Sequence, residues 1–179
     1  MNYIFLVFDI FVFVFGLCIG SFLNCVIYRT ELQEKMPRGS PHRKAVSFLR
    51  GKSFCPQCRH TLSWQDLIPV FSFLFLRGKC RYCHKKISLQ YPIVEISTGL
   101  IFLIIFNFVI FNFVNNDLIF KFLNLAFLFY IASSLIIIFI YDLKHYIIPD
   151  KILFPAIIIT FIFRILEILN LNLFRISNL

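Results

Sequence analysis

Two Cys-x-x-Cys pairs, Cys55-Pro56-Gln57-Cys58 and Cys80-Arg81-Tyr82-Cys83, stand in the one long polar stretch of an otherwise apolar chain. Four thiolates on two short turns complete a tetrahedral zinc shell, and Zn–S bonds fold segments with too little apolar core of their own. The 21 residues between Cys58 and Cys80 are close to the spacing of zinc ribbons and paired knuckles. Four cysteines leave no position for water, so the expected Zn2+ is structural and does no chemistry itself. His60 and His84 follow the pairs closely. Either could replace a cysteine, but with four cysteines present the better reading is a solvated or supporting histidine. Cys18 and Cys25 lie in an apolar run and read as small buried residues.

Carboxylates at the ends of apolar runs offer a second chemistry, because charge there is costly and usually has a task. Glu95 lies near the start of the second run, Asp142 closes the third, and Asp150 opens the fourth after Pro149. Asp9 lies in the outer half of the first run and is expected to reach the headgroups. Each main candidate also has a plain reading. Asp150 suits helix initiation, where an acid meets the positive end of the dipole, and Asp142 suits a polar span terminus.

The elements that must position these groups are membrane spans. Of the 179 residues 59% are hydrophobic, and the mean hydropathy is +0.82, outside the range of ordinary soluble domains. The 25 Phe carry no functional weight, since Phe, Leu and Ile serve equally against lipid. Four runs are long enough for roughly 30 Å of hydrocarbon, which takes about 20 residues: 4–27, 93–114, 118–141 and 152–169. Arg164 and Glu167 in the last are three apart on one helical face, where they can pair. The first run has no basic leader and is too long for a signal peptide's apolar core, so it reads as a retained span.

Charge sets the expected orientation. Thirteen of the 18 Lys+Arg fall between Arg29 and Lys86, against Glu31, Glu34 and Asp66, which makes this stretch +10 and the rest of the chain −1. Basic loops stay in the cytoplasm, so the four-cysteine loop is expected inside and both termini outside. Thiols there stay reduced, which disfavours disulfides. Topology and anionic lipid headgroups explain the positive charge, so membrane lipid is an expected partner and nucleic acid is not. The fold expected is all-α and polytopic, with about four transmembrane helices and a small zinc-binding cytoplasmic domain between the first and second. The parts are a first span over 1–28, a basic four-cysteine domain over 29–91, and three spans over 92–179.

The stretch Gly16-Leu17-Cys18-Ile19-Gly20-Ser21-Phe22-Leu23-Asn24-Cys25-Val26-Ile27-Tyr28-Arg29 resembles the GSFLNVVIYR segment of the bacterial type IV prepilin peptidases. These are membrane aspartyl proteases that also N-methylate their products. The run from Cys55-Pro56-x-Cys58 through Leu67-Ile68-Pro69 to Gly78-x-Cys80-Arg81-x-Cys83 is similar to the family's cytoplasmic domain, as are Ile87-Ser88 and Tyr91-Pro92-x-x-Glu95. Asp142-Leu143-Lys144-His145-Tyr146-Ile147-Ile148-Pro149-Asp150 looks like its first aspartate segment. The resemblance implies a bacterial inner-membrane enzyme acting on type IV prepilins or pseudopilins. Such an enzyme cuts the leader at the cytoplasmic membrane face and methylates the new N-terminus with S-adenosylmethionine. It also implies that Asp142 is one of two catalytic aspartates.

Aspartyl chemistry needs two carboxylates, one ionised to activate water and one held protonated as the acid. In the family the second comes from a G-x-G-D stretch. No G-x-G occurs here, and the last glycine is Gly99, so the expectation is a chain truncated ahead of that motif, with Asp150 a possible accessory. The alternatives are a split-enzyme subunit whose partner chain carries G-x-G-D, a methyltransferase-only protein, an inactive remnant and a non-catalytic membrane adaptor. For the adaptor, Gly16-x-x-x-Gly20 would suit oligomer formation through close helix packing. No Gly-rich Rossmann signature marks a cofactor pocket.

Overall fold

The computed structural model describes residues 3–37, 53–112 and 118–177. Among the described residues five α-helices follow one another: α1 (Tyr3–Lys35), α2 (Phe71–Phe75), α3 (Gln90–Asn112), α4 (Leu118–His145) and α5 (Asp150–Ser177). A 3-10 turn, Trp64–Leu67, precedes α2. Among the described residues there is no strand, only two isolated bridges, Phe54 with Thr61 and Lys79 with Lys86. Four of the described helices are long and apolar enough to cross a membrane: Tyr3–Lys35, Gln90–Phe111, Leu118–His145 and Asp150–Leu169. The four-cysteine cluster lies between the first two of them. The expected all-α polytopic architecture is therefore present. The chain falls into two compact units, divided between Val114 and Asn115.

α1 is longer than its apolar run. Its 33 residues extend about 50 Å at 1.5 Å per residue, against roughly 30 Å of hydrocarbon. The last turns bury Arg29, Thr30 and Gln33, and the Thr30 hydroxyl donates to the Val26 carbonyl at 2.9 Å. Hydropathy marks only the lipid-facing part of such a helix. The polar continuation stays helical because it is packed.

The first unit is organised by the pairing of α1 with α3. A Cβ on Gly16 would lie 2.7 Å from the Gly99 Cα, and one on Gly20 only 2.6 Å from the Glu95 Cα. The backbones thus approach to where only glycine fits. Around this contact Leu23, Ile27, Val94, Phe102, Val109 and Thr98 are buried. The Asn24 side-chain amide donates to the Tyr91 carbonyl at 3.0 Å across the pair. Gly16 and Gly20 are therefore used within the chain, which removes the sequence signal for an oligomer-forming adaptor. The Asp9 carboxylate accepts a hydrogen bond from the Asn107 amide of α3 at 3.1 Å, a second polar tie across the pair.

The second unit is the α4–α5 hairpin. α4 ends where Tyr146 adopts a left-handed conformation (φ 53°) and its N–H returns to the Asp142 carbonyl at 2.8 Å, a helix-terminating cap of the left-handed type. α5 opens with the Ile152 and Leu153 amides on the Pro149 carbonyl, at 3.0 and 3.1 Å. Phe127 and Phe163 stack at 4.0 Å between the helices. Arg164 and Glu167 form the expected pair, at 2.7 Å.

Candidate functional site

The two cysteine pairs are built twice over by one local design. Cys80 follows Cys55 by 25 positions, and the backbone repeats at that offset. The Cys55 amide donates to the His60 carbonyl and the Cys80 amide to that of Lys85, both at 2.9 Å. The Arg59 amide returns to the Cys55 carbonyl and the His84 amide to that of Cys80, again both at 2.9 Å. The Leu62 amide reaches Ser53 and the Ile87 amide reaches Gly78, at 2.8 Å each. Each turn needs a residue of positive φ after its second cysteine, Arg59 (58°) and His84 (56°). Non-glycine residues visit this region uncommonly, and here the hydrogen bonds on either side hold them there.

This duplication brings the four sulfurs together. The Cys55, Cys58, Cys80 and Cys83 Sγ atoms all lie within 4.8 Å of one another, and Cys55 and Cys83 are 3.9 Å apart. A regular tetrahedron with metal–sulfur bonds of about 2.3 Å has edges of about 3.8 Å. The residues therefore fit a four-thiolate metal ion. Burial pushes the Cys55 thiol up, but backbone amides of Cys58 and Gln57 and the adjacent thiols outweigh it and bring Cys55 down to about 7. The Lys85 amide pulls the Cys83 thiol down, but burial and the three neighbouring sulfurs carry it up to about 11. Four sulfurs this close cannot all ionise by themselves. A divalent cation between them removes the repulsion and lets them do so.

The histidines take supporting places. The His60 ring stacks on Tyr82 of the other pair at 3.7 Å, and its Nδ1 is 2.8 Å from the Thr61 carbonyl oxygen. The Tyr82 hydroxyl donates to Asp66 at 3.3 Å. The same carboxylate accepts from the Ser63 hydroxyl at 2.8 Å and its amide at 3.1 Å, and pairs with the Arg81 guanidinium at 2.8 Å. Burial would raise the Asp66 carboxyl, but the Ser63 hydrogen bonds and the Arg81 charge hold it below the usual carboxylate range. One buried acid thus joins the second cysteine pair to the 3-10 turn.

Glu95 acquires a partner that the sequence did not indicate. Its side chain is buried against α1, and its Oε2 accepts the Val70 amide at 2.7 Å. Val70 has φ 61° and ψ −49°, and the Phe71 amide closes on the Pro69 carbonyl at 2.6 Å. This is a γ-turn of positive φ, a rare and strained form, centred on a β-branched residue. The apolar setting of Glu95 was visible in the sequence. Its long-range partner was not, because Val70 carries no turn signature.

The carboxylates of the second unit lie at one end of the α4–α5 hairpin. Asp142 is in the last turn of α4 and Asp150 is the first residue of α5. Both are exposed, and four residues, Tyr146 to Pro149, separate the two helices.

Comparison with known proteins covers mostly the first unit. The family model of the bacterial peptidase A24 N-terminal domain matches residues 14–109. A prepilin leader peptidase/N-methyltransferase of Myxococcus xanthus is 46% identical over 95 residues, covering 53% of this chain and 25% of that protein. One of Klebsiella pneumoniae is 42% identical over 94 residues, covering 52% and 39%. One of Vibrio cholerae is 33% identical over 163 residues, covering 91% of this chain and 58% of that protein. The chain thus spans between a quarter and somewhat over half of these relatives' length. No solved structure matches.

Proposed function

The chain belongs to the bacterial peptidase A24 family of prepilin leader peptidases/N-methyltransferases, and on that premise we propose that it works in cleaving the leader of type IV prepilin-like proteins and methylating the new N-terminus. The observation that carries this reading is the assembled first unit. A four-cysteine centre sits between two helices locked together by Gly16, Gly20, Asn24 and Glu95, all within the matched stretch. The V. cholerae match extends the likeness over most of the chain.

In this reading Cys55, Cys58, Cys80 and Cys83 hold Zn2+, which shapes the domain and takes no part in bond cleavage. The basic four-cysteine domain faces the cytoplasm of a bacterial inner membrane, following the excess of Lys and Arg there. It meets lipid headgroups and the leader-bearing end of the prepilin helix at the membrane face. The three-part division into a first span over 1–28, a four-cysteine domain over 29–91 and three spans over 92–179 belongs to the same proposal.

Asp142 supplies one carboxylate of the peptidase site. Its exposure at a helix end leaves it free to meet water and substrate. A second carboxylate must share the site, so that one ionised group activates water while the other donates a proton to the leaving amine. Asp150, across the hairpin turn, is an accessory in this scheme, and the partner carboxylate comes from polypeptide bearing G-x-G-D outside these 179 residues. S-adenosylmethionine supplies the methyl group for the second activity.

The test is the intact mass of a prepilin co-expressed with this chain in a host without other prepilin peptidases, with and without a polypeptide bearing G-x-G-D. Leader loss only with the second polypeptide is the expected result. Leader loss with this chain alone means it completes an aspartyl site by itself. A methyl-sized gain on pre-cut substrate without cleavage in either case means a methyltransferase alone. No change in any arm overturns the enzymatic reading.

A further inference from the structure

The segment between the cysteine pairs has the wrong surface for a domain bathed in water. From Ser63 to Leu76 the only ionisable side chain is Asp66, and that carboxylate is paired with Arg81 and hydrogen-bonded by Ser63. Lys and Arg stop at Arg59 and resume at Arg77. Within this uncharged stretch Trp64 is 72% exposed, Leu74 63% and Phe75 83%. Large apolar side chains left exposed together in one uncharged stretch point to an interaction site.

The Glu95–Val70 hydrogen bond gives the segment a depth. Glu95 is the sixth residue of α3, about 8 Å along the axis from Gln90 at 1.5 Å per residue. In the sequence the run Asn115-Asn116-Asp117 closes the apolar stretch. Counting back the roughly 20 residues that cross the hydrocarbon arrives at Glu95 itself. The Val70 amide, 2.7 Å from Glu95, therefore lies level with the edge of the hydrocarbon. α2 begins at the next residue, and the 3-10 turn bearing Trp64 packs against α2.

The backbone is prepared for a dry setting. The Val70 amide is given to Glu95 and the Phe71 amide to Pro69. The C-terminus of α2 closes with the Arg77 amide on Leu74 and the Gly78 amide on Phe73, at 3.0 and 2.9 Å, a Schellman cap with Arg77 left-handed. At membrane depth backbone groups must find partners within the protein.

We infer that the segment from Trp64 to Leu76 is an interfacial anchor, which buries Trp64, Leu74 and Phe75 at the boundary of headgroups and acyl chains in the leaflet on the four-cysteine side. Trp is enriched at that level, and side chains of interfacial elements reach about 5–10 Å into it. The flanking Arg59, Arg77 and Lys79 face the phosphates. Leu89, just ahead of α3, and Ile93 within it are exposed apolar side chains as well. The inference rests on α3 crossing a membrane and not on the peptidase reading.

Trp64 is the chain's single tryptophan, so its fluorescence tests the anchor without mutation. The full chain is reconstituted in vesicles of phosphatidylglycerol and phosphatidylethanolamine, plain or brominated near the headgroup end of the acyl chains. The expected result is blue-shifted emission that loses about half its intensity in brominated lipid, as fits an interfacial depth, with little quenching by aqueous acrylamide. Phe75→Trp in a Trp64→Phe background gives a second probe, and its exposed position makes the exchange structurally mild; it should behave alike. Quenching of either probe by acrylamide and not by bromine places that side chain in water and overturns the anchor. Quenching of either by neither agent means burial against protein, a second copy or a substrate helix, and overturns it equally.

Discussion

The two compact units are held in opposite ways. In the first, a third of the apolar window of α3 is buried (33%), while in the second the window of α5 is not buried at all (0%). The first unit spends polar groups on long-range bonds, Asn24 to Tyr91 and Glu95 to Val70, and draws two backbones to glycine-only distance. The second has a stacked Phe pair, a surface ion pair and two exposed acids at one end. Lipid chains are as apolar as the helices themselves, so burial of Leu and Phe alone does not drive pairing there. Close backbone approach and interhelical hydrogen bonds do. The first unit has both. One unit is thus a scaffold fixed by its own contacts, and the other is a hairpin that presents carboxylates.

The largest effect should come from the metal centre. Structural zinc binds small peptides with an apparent 10–16 kcal/mol, of about the size of a domain's whole stability. Cys55→Ser with Cys80→Ser should take metal content from about one ion per chain to none and open the 53–89 region to protease, while α4–α5 stays helical. Full metal content in the double variant, by mass spectrometry, would sink the four-cysteine assignment. Next is Gly20→Leu. Its Cβ would meet the Glu95 Cα at 2.6 Å, so the helices must separate, at a cost of about 3 kcal/mol. Thermal melting in detergent should fall by several degrees, whereas Phe161→Leu, on the exposed side of α5, should leave it unchanged. An equal effect at the two sites would erase the contrast between the units.

Glu95→Ala should cost about 2 kcal/mol by stranding the Val70 amide, while Glu95→Gln keeps an acceptor oxygen and should cost less. Hydrogen exchange at Val70 reads this directly, and unchanged protection in the alanine variant would remove Glu95 from its role in the turn. The smallest stability change is expected at Asp142→Asn, within about 0.5 kcal/mol for an exposed site. Yet leader cleavage, assayed with the second carboxylate supplied, should be lost while methylation of pre-cut substrate persists. Loss of both activities together with a lowered melting temperature would show that Asp142 is structural.

Much of this was legible in the sequence for identifiable reasons. Zinc-type spacing is local, so Cys55, Cys58, Cys80 and Cys83 could be grouped before any fold was known, and apolar length gave the four spans. The pairing of Arg164 with Glu167 followed from helix geometry. What the sequence withheld depends on partners far along the chain. Gly16 and Gly20 announce close packing but not against which helix. Asp9 gives no sign in the sequence that its partner is Asn107, 98 positions away. The continuation of α1 to Lys35 was hidden because a packed polar turn has no hydropathy signal. Val70 was hidden because the strain of its turn is imposed by Pro69 and Glu95 together and not by its own residue type.

The Asn24–Tyr91 bond also has a consequence in time. It spans 67 positions. Tying Cys55 to Cys83, 28 apart, shortens the loop it closes to about 39 residues, which lowers the closure entropy by only about 0.5 kcal/mol. A metal ion held there would therefore help α1 meet α3 only a little by shortening the tether. Ribosomes add roughly 5–20 residues per second, so α1 waits roughly 3–13 s for α3 to be made. Throughout that interval Gly16, Gly20 and Asn24 lie uncovered in or beside the bilayer. The four-cysteine segment is synthesised within this window, and its capture of metal can be complete before the helix it serves has arrived.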